Sequence, residues 1–142
     1  MHGKNCFVLD CSVTMAWCFE DEITRYTENI LDQLSSCIAF VPSLWSLEVA
    51  NVLYIAEVKK RIDPIKTQEF REALSALPIQ IDHTTSARAM GSILEIARKY
   101  SITVYDAAYL ELAIRHQFPM ATLDKALRAA IKKAGVSLWP EA

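Results

Sequence analysis

Residues 103–113 read TVYDAAYLELA, and five of these eleven residues are alanine or leucine, which favour a helix. Apolar side chains recur here at helical spacing and form a stripe that needs a core to pack against: Val104, Ala107, Ala108 and Leu112. Asp106 lies beside this stripe in the first turn, where the helix dipole favours a carboxylate. The stretch therefore predicts a buried helix with an acid near its start.

Short apolar segments and helical segments alternate on either side of this helix. We predict strands at residues 6–9, 37–41, 79–81, 120–123 and 136–139. We predict further helices at residues 13–19, 23–34, 44–61, 64–77, 85–100 and 125–134. Strands that are apolar throughout and separated by helices indicate a parallel sheet covered on both faces, within one domain spanning residues 1–142.

Composition limits the classes of function. The chain has 142 residues, is 52% hydrophobic and carries a net charge of −2, so no general positive field attracts nucleic acid. The hydrophobic content suggests a surface for a partner. We expect no signal peptide and no membrane span, and the four cysteines lack the spacing of zinc sites. These features predict reduced cysteines in a cytoplasmic protein.

Four acids stand in apolar surroundings: Asp10, Glu48, Asp106 and Asp124. Each alone has a structural explanation, for example Asp10 as a turn residue or Asp124 as a helix cap. Glu48 shares a helix face with Asn51, and two such polar groups in an apolar helix need partners. Because sites in parallel sheets form beyond the carboxyl ends of strands, we expect the acids to act together.

These residues resemble the PIN domain. The motifs are LDCS at residues 9–12, ExxN at 48–51, YDAAYLELA at 105–113 and TLD at 122–124. The likeness is closest to small stand-alone PIN proteins, the VapC-type toxins of toxin–antitoxin pairs. It implies an α/β/α sandwich with a central parallel five-stranded sheet, and cleavage of RNA.

The resemblance also implies a site. Its metal-binding and catalytic acids would be Asp10, Glu48, Asp106 and Asp124, accompanied by the polar residues Ser12, Asn51 and Thr122. Clustered carboxylates repel one another, and a hard divalent ion such as Mg²⁺ or Mn²⁺ relieves that repulsion. Such an ion activates water for hydrolysis of a phosphodiester.

The implied partners are an RNA substrate and an antitoxin protein. We expect a homodimer of the toxin, which forms a heterotetramer or larger assembly with the antitoxin. Two alternatives stay open, a PIN-fold binding module without catalysis and a metal-dependent DNA nuclease. A haloacid-dehalogenase-like phosphatase fits poorly, because Ser12 stands where that class needs a second acid.

Overall fold

A parallel sheet lies at the centre of the computed structural model, which describes residues 5–140. Within that range the sheet has four strands: β1 (Asn5–Leu9), β2 (Cys37–Pro42), β3 (Ile79–Asp82) and β4 (Met120–Ala121). Their order across the sheet is β3-β2-β1-β4, and every pairing is parallel. The predicted parallel sheet is confirmed.

The strands are hydrophobic because both faces of the sheet are covered. Phe7, Val8 and Leu9 of β1 are completely buried, and Ala39 and Val41 of β2 are buried as well. Side chains alternate between the two faces of a strand, so burial of consecutive residues requires a layer of helices on each face.

The fifth predicted strand, residues 136–139, is reduced to one parallel bridge between Leu138 and Met120. Two backbone hydrogen bonds hold it, from the Met120 N–H to Ser137 at 2.9 Å and from the Trp139 N–H to Met120 at 2.7 Å. The pairing goes no further because β4 has only two residues. A five-stranded sheet is therefore not confirmed.

Helices occupy the connections between the strands. They are α1 (Cys11–Cys18), α2 (Arg25–Gln33), α3 (Leu44–Val58), α4 (Pro64–Ser75), α5 (Thr85–Arg88), α6 (Leu94–Tyr100), α7 (Val104–His116) and α8 (Lys125–Lys133). α1 contacts α2 and α3, while α7 contacts α6 and α8. Right-handed crossovers place these two groups on opposite faces of the sheet, which gives the three layers.

The segment predicted as one helix over residues 85–100 is interrupted. A π-helical turn, Ala89–Ile93, separates α5 from α6. Gly91 within this turn has φ −108° and ψ −107°, which is not a helical conformation. Glycine lacks a Cβ and tolerates this geometry, so it breaks the hydrogen-bond ladder locally.

Helix α7 is buried on every side over its middle. All residues from Ala107 to Ala113 are buried, while Val104 in the first turn is 41% exposed. The predicted stripe is thus correct for Ala107, Ala108 and Leu112 but wrong for Val104, because the helix begins at the molecular surface. α7 contacts β1 and β2 as well as its neighbouring helices.

Strand order places a reversal point beside β1. The chain builds β1, β2 and β3 outward in one direction, then returns through α5, α6 and α7 to add β4 on the other side of β1. Ligands in open α/β sheets bind at such a reversal, beyond the carboxyl ends of the strands. In this sheet the reversal lies between the carboxyl ends of β1 and β4.

All four cysteines lie in the described part of the chain and none forms a disulfide, which agrees with the predicted thiols. Burial, Glu48 and Asp10 raise the pKa of the Cys11 thiol to about 12, so it stays protonated at neutral pH. None of the helices formed by residues 5–140 has the length and hydrophobicity to cross a bilayer.

An ion network fixes the carboxyl-terminal half of α7. Arg115 donates to both oxygens of Glu111, with its Nε 2.9 Å from Oε2 and its terminal nitrogen 3.1 Å from Oε1, and it also hydrogen-bonds Asp82 at the end of β3. The Glu111 side chain is only 7% exposed and lies 3.8 Å from Arg88. The network joins α5, α7 and β3.

Removing Arg115 should destabilise the fold. In Arg115→Met, Glu111 keeps its charge in a buried position and loses its closest partner, which costs about 3 kcal/mol of unfolding free energy. Arg61→Met is the matched control, because Arg61 also pairs with two acids, Asp21 and Glu22, but at the surface. Its cost should be about 1 kcal/mol or less. Urea unfolding of both variants measures the difference, and equal midpoints would contradict the assigned network.

Candidate functional site

Asp10 follows β1 directly and is buried, with 6% of its surface exposed. Its Oδ2 accepts hydrogen bonds from the hydroxyls of Ser12 at 2.6 Å and Thr122 at 2.7 Å. These contacts arise because β1 pairs with β4, so the residues following each strand meet. Burial raises the pKa of Asp10 and the neighbouring charge of Asp124 adds to this, while the two hydroxyls oppose it.

The loop after β4 is tied to Asp10 through the same hydroxyls. Ser12 Oγ accepts from the Leu123 N–H at 3.0 Å, and Thr122 Oγ1 accepts from the Asp124 N–H at 3.1 Å. Each hydroxyl therefore donates to the carboxylate and accepts from the backbone. Ser12 and Thr122, both predicted to accompany the acids, lie in this network.

Glu48 lies in the second turn of α3 and is half-buried. Its Oε1 accepts a 2.6 Å hydrogen bond from the hydroxyl of Tyr109, a completely buried residue of α7. Burial raises the pKa of Glu48, and the charges of Asp10 and Asp106 raise it further, against the hydrogen bond from Tyr109. The α3 and α7 acids therefore face the same space as Asp10.

Asp106 is in the first turn of α7, as predicted. The Thr103 side chain caps the helix by accepting from the Asp106 N–H at 3.1 Å. Burial, together with the charges of Asp124 and Asp10, raises the pKa of the half-buried Asp106 carboxyl to about 6.

Asp124 is exposed and caps α8, with Oδ1 accepting from the Leu127 N–H at 2.8 Å. Its charge also acts on Asp10 and Asp106. Asp124 can therefore cap α8 and also interact with the other acids, because the cap uses only one of its two carboxylate oxygens.

Asn51, a further predicted residue, lies outside the hydrogen bonds around Asp10. It lies one turn beyond Glu48 on α3 and is exposed. No hydrogen bond joins its side-chain amide to another residue in the described range 5–140. Because the amide faces water, it does not need the buried partner that the apolar composition of α3 suggested.

Tyr109 is the residue that sequence reasoning missed. It lies three positions after Asp106 in a helix that is apolar over most of its length. A buried tyrosine hydroxyl requires a hydrogen-bond partner, so its presence in a core helix beside an acid was the available signal. What the sequence could not give was the partner, Glu48, which lies 61 positions away.

The charges of the four acids act on one another in pairs: Asp10 with Asp124, Glu48 with Asp10 and Asp106, and Asp106 with Asp10 and Asp124. Within residues 5–140, no Lys, Arg or His side chain forms a salt bridge with any of them. The same residues contain no group of three His, Cys, Asp or Glu already arranged to hold a metal ion. The hydroxyl of Tyr109 holds the carboxylate of Glu48, and the Leu127 N–H holds one oxygen of Asp124.

Comparison with known proteins identifies the family of this fold and site. A family model described as PIN domain matches residues 7–133. The chain belongs to the PIN domain family. This PIN domain is 33% identical over 99 residues to Ribonuclease VapC1 of Mycobacterium tuberculosis, an alignment that covers 68% of this chain and 71% of that protein.

Two solved structures share the architecture of this PIN domain. PAE2754 from Pyrobaculum aerophilum matches with a TM-score of 0.66 and 18% identity, covering 91% of this chain and 87% of that one. VapBC2 from Rickettsia felis, solved with a DNA fragment from the promoter, matches with a TM-score of 0.66 and 14% identity. The match covers 94% of this chain and 96% of that one. At such identities the likeness concerns the fold.

The convergence of the acids predicts that Asp106→Asn stabilises the metal-free protein. The change keeps the shape and removes one charge from a repulsive group. The pKa of Asp106 rises from 3.8 to about 6 on folding, so its destabilising effect is absent below pH 3.8, grows between pH 3.8 and about pH 6, and is fully present above that. The melting temperature of Asp106→Asn in EDTA should exceed that of wild type most clearly above pH 7, and the difference should shrink below pH 6.

Asp32→Asn is the control for this measurement. Asp32 is exposed on α2 and forms no salt bridge with residues 5–140. Its replacement should shift the melting temperature little and equally at pH 5 and pH 8. Melting curves in which Asp106→Asn lies well below wild type at pH 8 would show that Asp106 is a structural acid.

Proposed function

We propose that this PIN domain is a divalent-metal-dependent endoribonuclease and the toxin of a type II toxin–antitoxin pair. The observation that supports the proposal is the buried Asp10 carboxyl group at the end of β1, whose charge and those of Glu48, Asp106 and Asp124 act on one another in pairs. Burial raises the pKa values of Asp10, Glu48 and Asp106, and the charges of neighbouring acids raise them further. No cation among residues 5–140 forms a salt bridge with these acids.

The donor set fits Mg²⁺ or Mn²⁺. Carboxylates are the ligands these hard cations prefer, and a divalent charge would relieve the repulsion that raises the pKa values. Asp10, Asp106 and Glu48 would hold the ion, with Asp124 at the rim. When bound, such an ion would lower the pKa of a water molecule that it coordinates and would polarise a phosphate oxygen.

The remaining groups orient these acids. Ser12 and Thr122 stabilise the charged form of Asp10, and Tyr109 does so for Glu48, because all three donate hydrogen bonds to a carboxylate. His83 and His116 are absent from these hydrogen bonds, and the His116 ring stacks on Phe40 and Phe118 instead. A carboxylate is therefore the protein group available to accept a proton from the attacking water.

RNA as the substrate is supported by the relation to Ribonuclease VapC1. A DNA nuclease would use the same metal chemistry. A PIN-fold binding module without catalysis would be expected to have lost one or more of the four acids. All four acids are present, which favours catalysis.

An antitoxin partner is supported by an apolar groove of about 610 Å³ between α3, α4 and β3. Tyr54, which lines the groove, is 65% exposed. Other large apolar side chains of α3 and α4 are exposed outside the groove lining: Leu47 at 76%, Val58 at 62% and Ile65 at 71%. Two of the similar structures are a toxin–antitoxin complex from Klebsiella pneumoniae and VapBC2. We place the antitoxin segment in this groove, with a basic side chain reaching the acids, and a homodimer within a heterotetramer or larger assembly.

Purified protein freed of any partner should cut RNA in Mg²⁺ or Mn²⁺ and should stop in excess EDTA. Asp10→Asn should lower the rate at least about 100-fold, because it removes the buried anchor of the metal site. Gel analysis of labelled RNA, with DNA of equal sequence in parallel, measures both. Cleavage by Asp10→Asn at the wild-type rate, or in EDTA, would refute the metal mechanism, and preferential cutting of DNA would refute the substrate.

Expression of the chain alone should arrest growth, and Asp106→Asn should relieve the arrest at equal protein level. If a neighbouring reading frame encodes a small antitoxin protein, its co-expression should rescue wild type. Tyr54→Glu should stay toxic but escape rescue, since a charge in the apolar groove opposes docking. Lys60→Glu, an exposed change just beyond α3, is the control and should be rescued normally. Equal growth of wild type and Asp106→Asn would contradict the toxin assignment.

A further inference from the structure

Helix α8 carries an unbalanced positive face in a chain of net charge −2. Four of its nine residues are basic and none is acidic. Lys125, Arg128 and Lys132, spaced i, i+3 and i+7, lie on one side of the helix over a length of about 10 Å. Among residues 5–140, no carboxylate forms a salt bridge with these side chains.

Arg128 is fixed at the centre of this face. Its Nε donates to the Thr122 carbonyl at 2.7 Å, and its guanidinium carbon lies 5.1 Å from the centroid of the Tyr26 ring. The Tyr26 hydroxyl in turn donates to the Trp139 carbonyl at 2.6 Å. A half-buried guanidinium held by a carbonyl and an aromatic face is ordered before any ligand arrives, and its terminal nitrogens suit a phosphate.

The basic face of α8, formed by Lys125, Arg128 and Lys132, starts at the acids. Thr122 contacts both, because its hydroxyl donates to Asp10 and its carbonyl accepts from Arg128. Asp124, the cap of α8, immediately precedes Lys125. A strand of RNA whose phosphate sits at the acids therefore meets these cations next.

A groove of about 460 Å³ runs along the same helix and is lined by Arg128, Lys132 and the segment from Gly135 to Leu138. Its apolar lining comes from Ile131, Val136 and Leu138. Cations at the rim of an apolar groove match a nucleotide, which has a charged backbone and a base with an apolar face.

We propose that the basic face of α8 binds the backbone of the single-stranded RNA substrate on one side of the scissile phosphate. This inference rests on the proposed function and extends it to the path of the substrate. The acids repel a polyanion, and the cations of α8 supply the local attraction that the net charge of the chain does not. An acidic peptide is a weaker match, because the face continues into an acid cluster suited to a metal and a phosphate.

The test compares two double variants with equal loss of charge. Lys125→Gln with Lys132→Gln removes two cations of α8 and leaves Arg128 in contact with Thr122. Lys59→Gln with Lys60→Gln removes two exposed cations beyond the far end of α3, about 15 Å along that helix from Glu48. Binding of a fluorescein-labelled 12-nucleotide RNA of mixed sequence is followed by anisotropy in EDTA from 50 to 200 mM salt.

We expect the α8 variant to bind about ten-fold more weakly at 50 mM salt, and its log–log salt slope to fall by about 1.4, or 0.7 per lost phosphate contact. The Lys59/Lys60 variant should keep a slope close to wild type. An equal loss of RNA affinity in both double variants would reveal a general charge effect. An unchanged RNA affinity in the α8 variant would show that this face does not bind the RNA. Either result overturns the inference.

Two further measurements separate the possible failures. RNA cleavage by wild type in Mn²⁺ tests the proposed function by itself. If wild type does not cleave RNA but the α8 variant still binds RNA more weakly than wild type, the proposed function is refuted and the RNA-binding surface is retained. Fluorescent polyglutamate tests an acidic protein partner. If wild type binds polyglutamate, the α8 variant does not, and both bind RNA equally well, the assignment of RNA to this face is overturned.

Discussion

The buried charge of Asp10 is the constraint on which the site depends. Burial penalises a carboxylate, and the hydroxyls of Ser12 and Thr122 offset that penalty by donating to the same oxygen. Thr122 is available only because β4 pairs with β1, although the two residues are 112 positions apart in the chain. The pairing of these strands therefore places the acid, its donors and the start of α8 together.

Helix α7 connects this site to the core. Its buried middle contacts β1 and β2, its first turn carries Asp106, and Tyr109 reaches across to Glu48. Arg115 fixes its other end to Asp82 through hydrogen bonds. The same helix therefore carries both packing contacts with the sheet and a polar contact with Glu48.

Periodicity and residue type were sufficient for most of the fold. Apolar strands, the helices between them and the cap at Asp124 are local features, and the structure agrees with them. Two details required the tertiary structure. Residues 136–139 form one bridge because β4 is too short to pair further, and the segment 85–100 breaks at Gly91, whose missing side chain allows but does not by itself dictate a π turn.

The sequence by itself determined which residues carry charge and on which elements they lie, since an acid after an apolar strand or in a helix turn is readable locally. Tertiary structure decided which of them meet. It placed Glu48 where the charges of Asp10 and Asp106 act on it, left Asn51 exposed, and supplied Tyr109 as the hydrogen-bond partner of Glu48. Periodicity is fixed by neighbours in the chain, whereas hydrogen bonds and charge interactions between distant segments depend on strand order and helix packing.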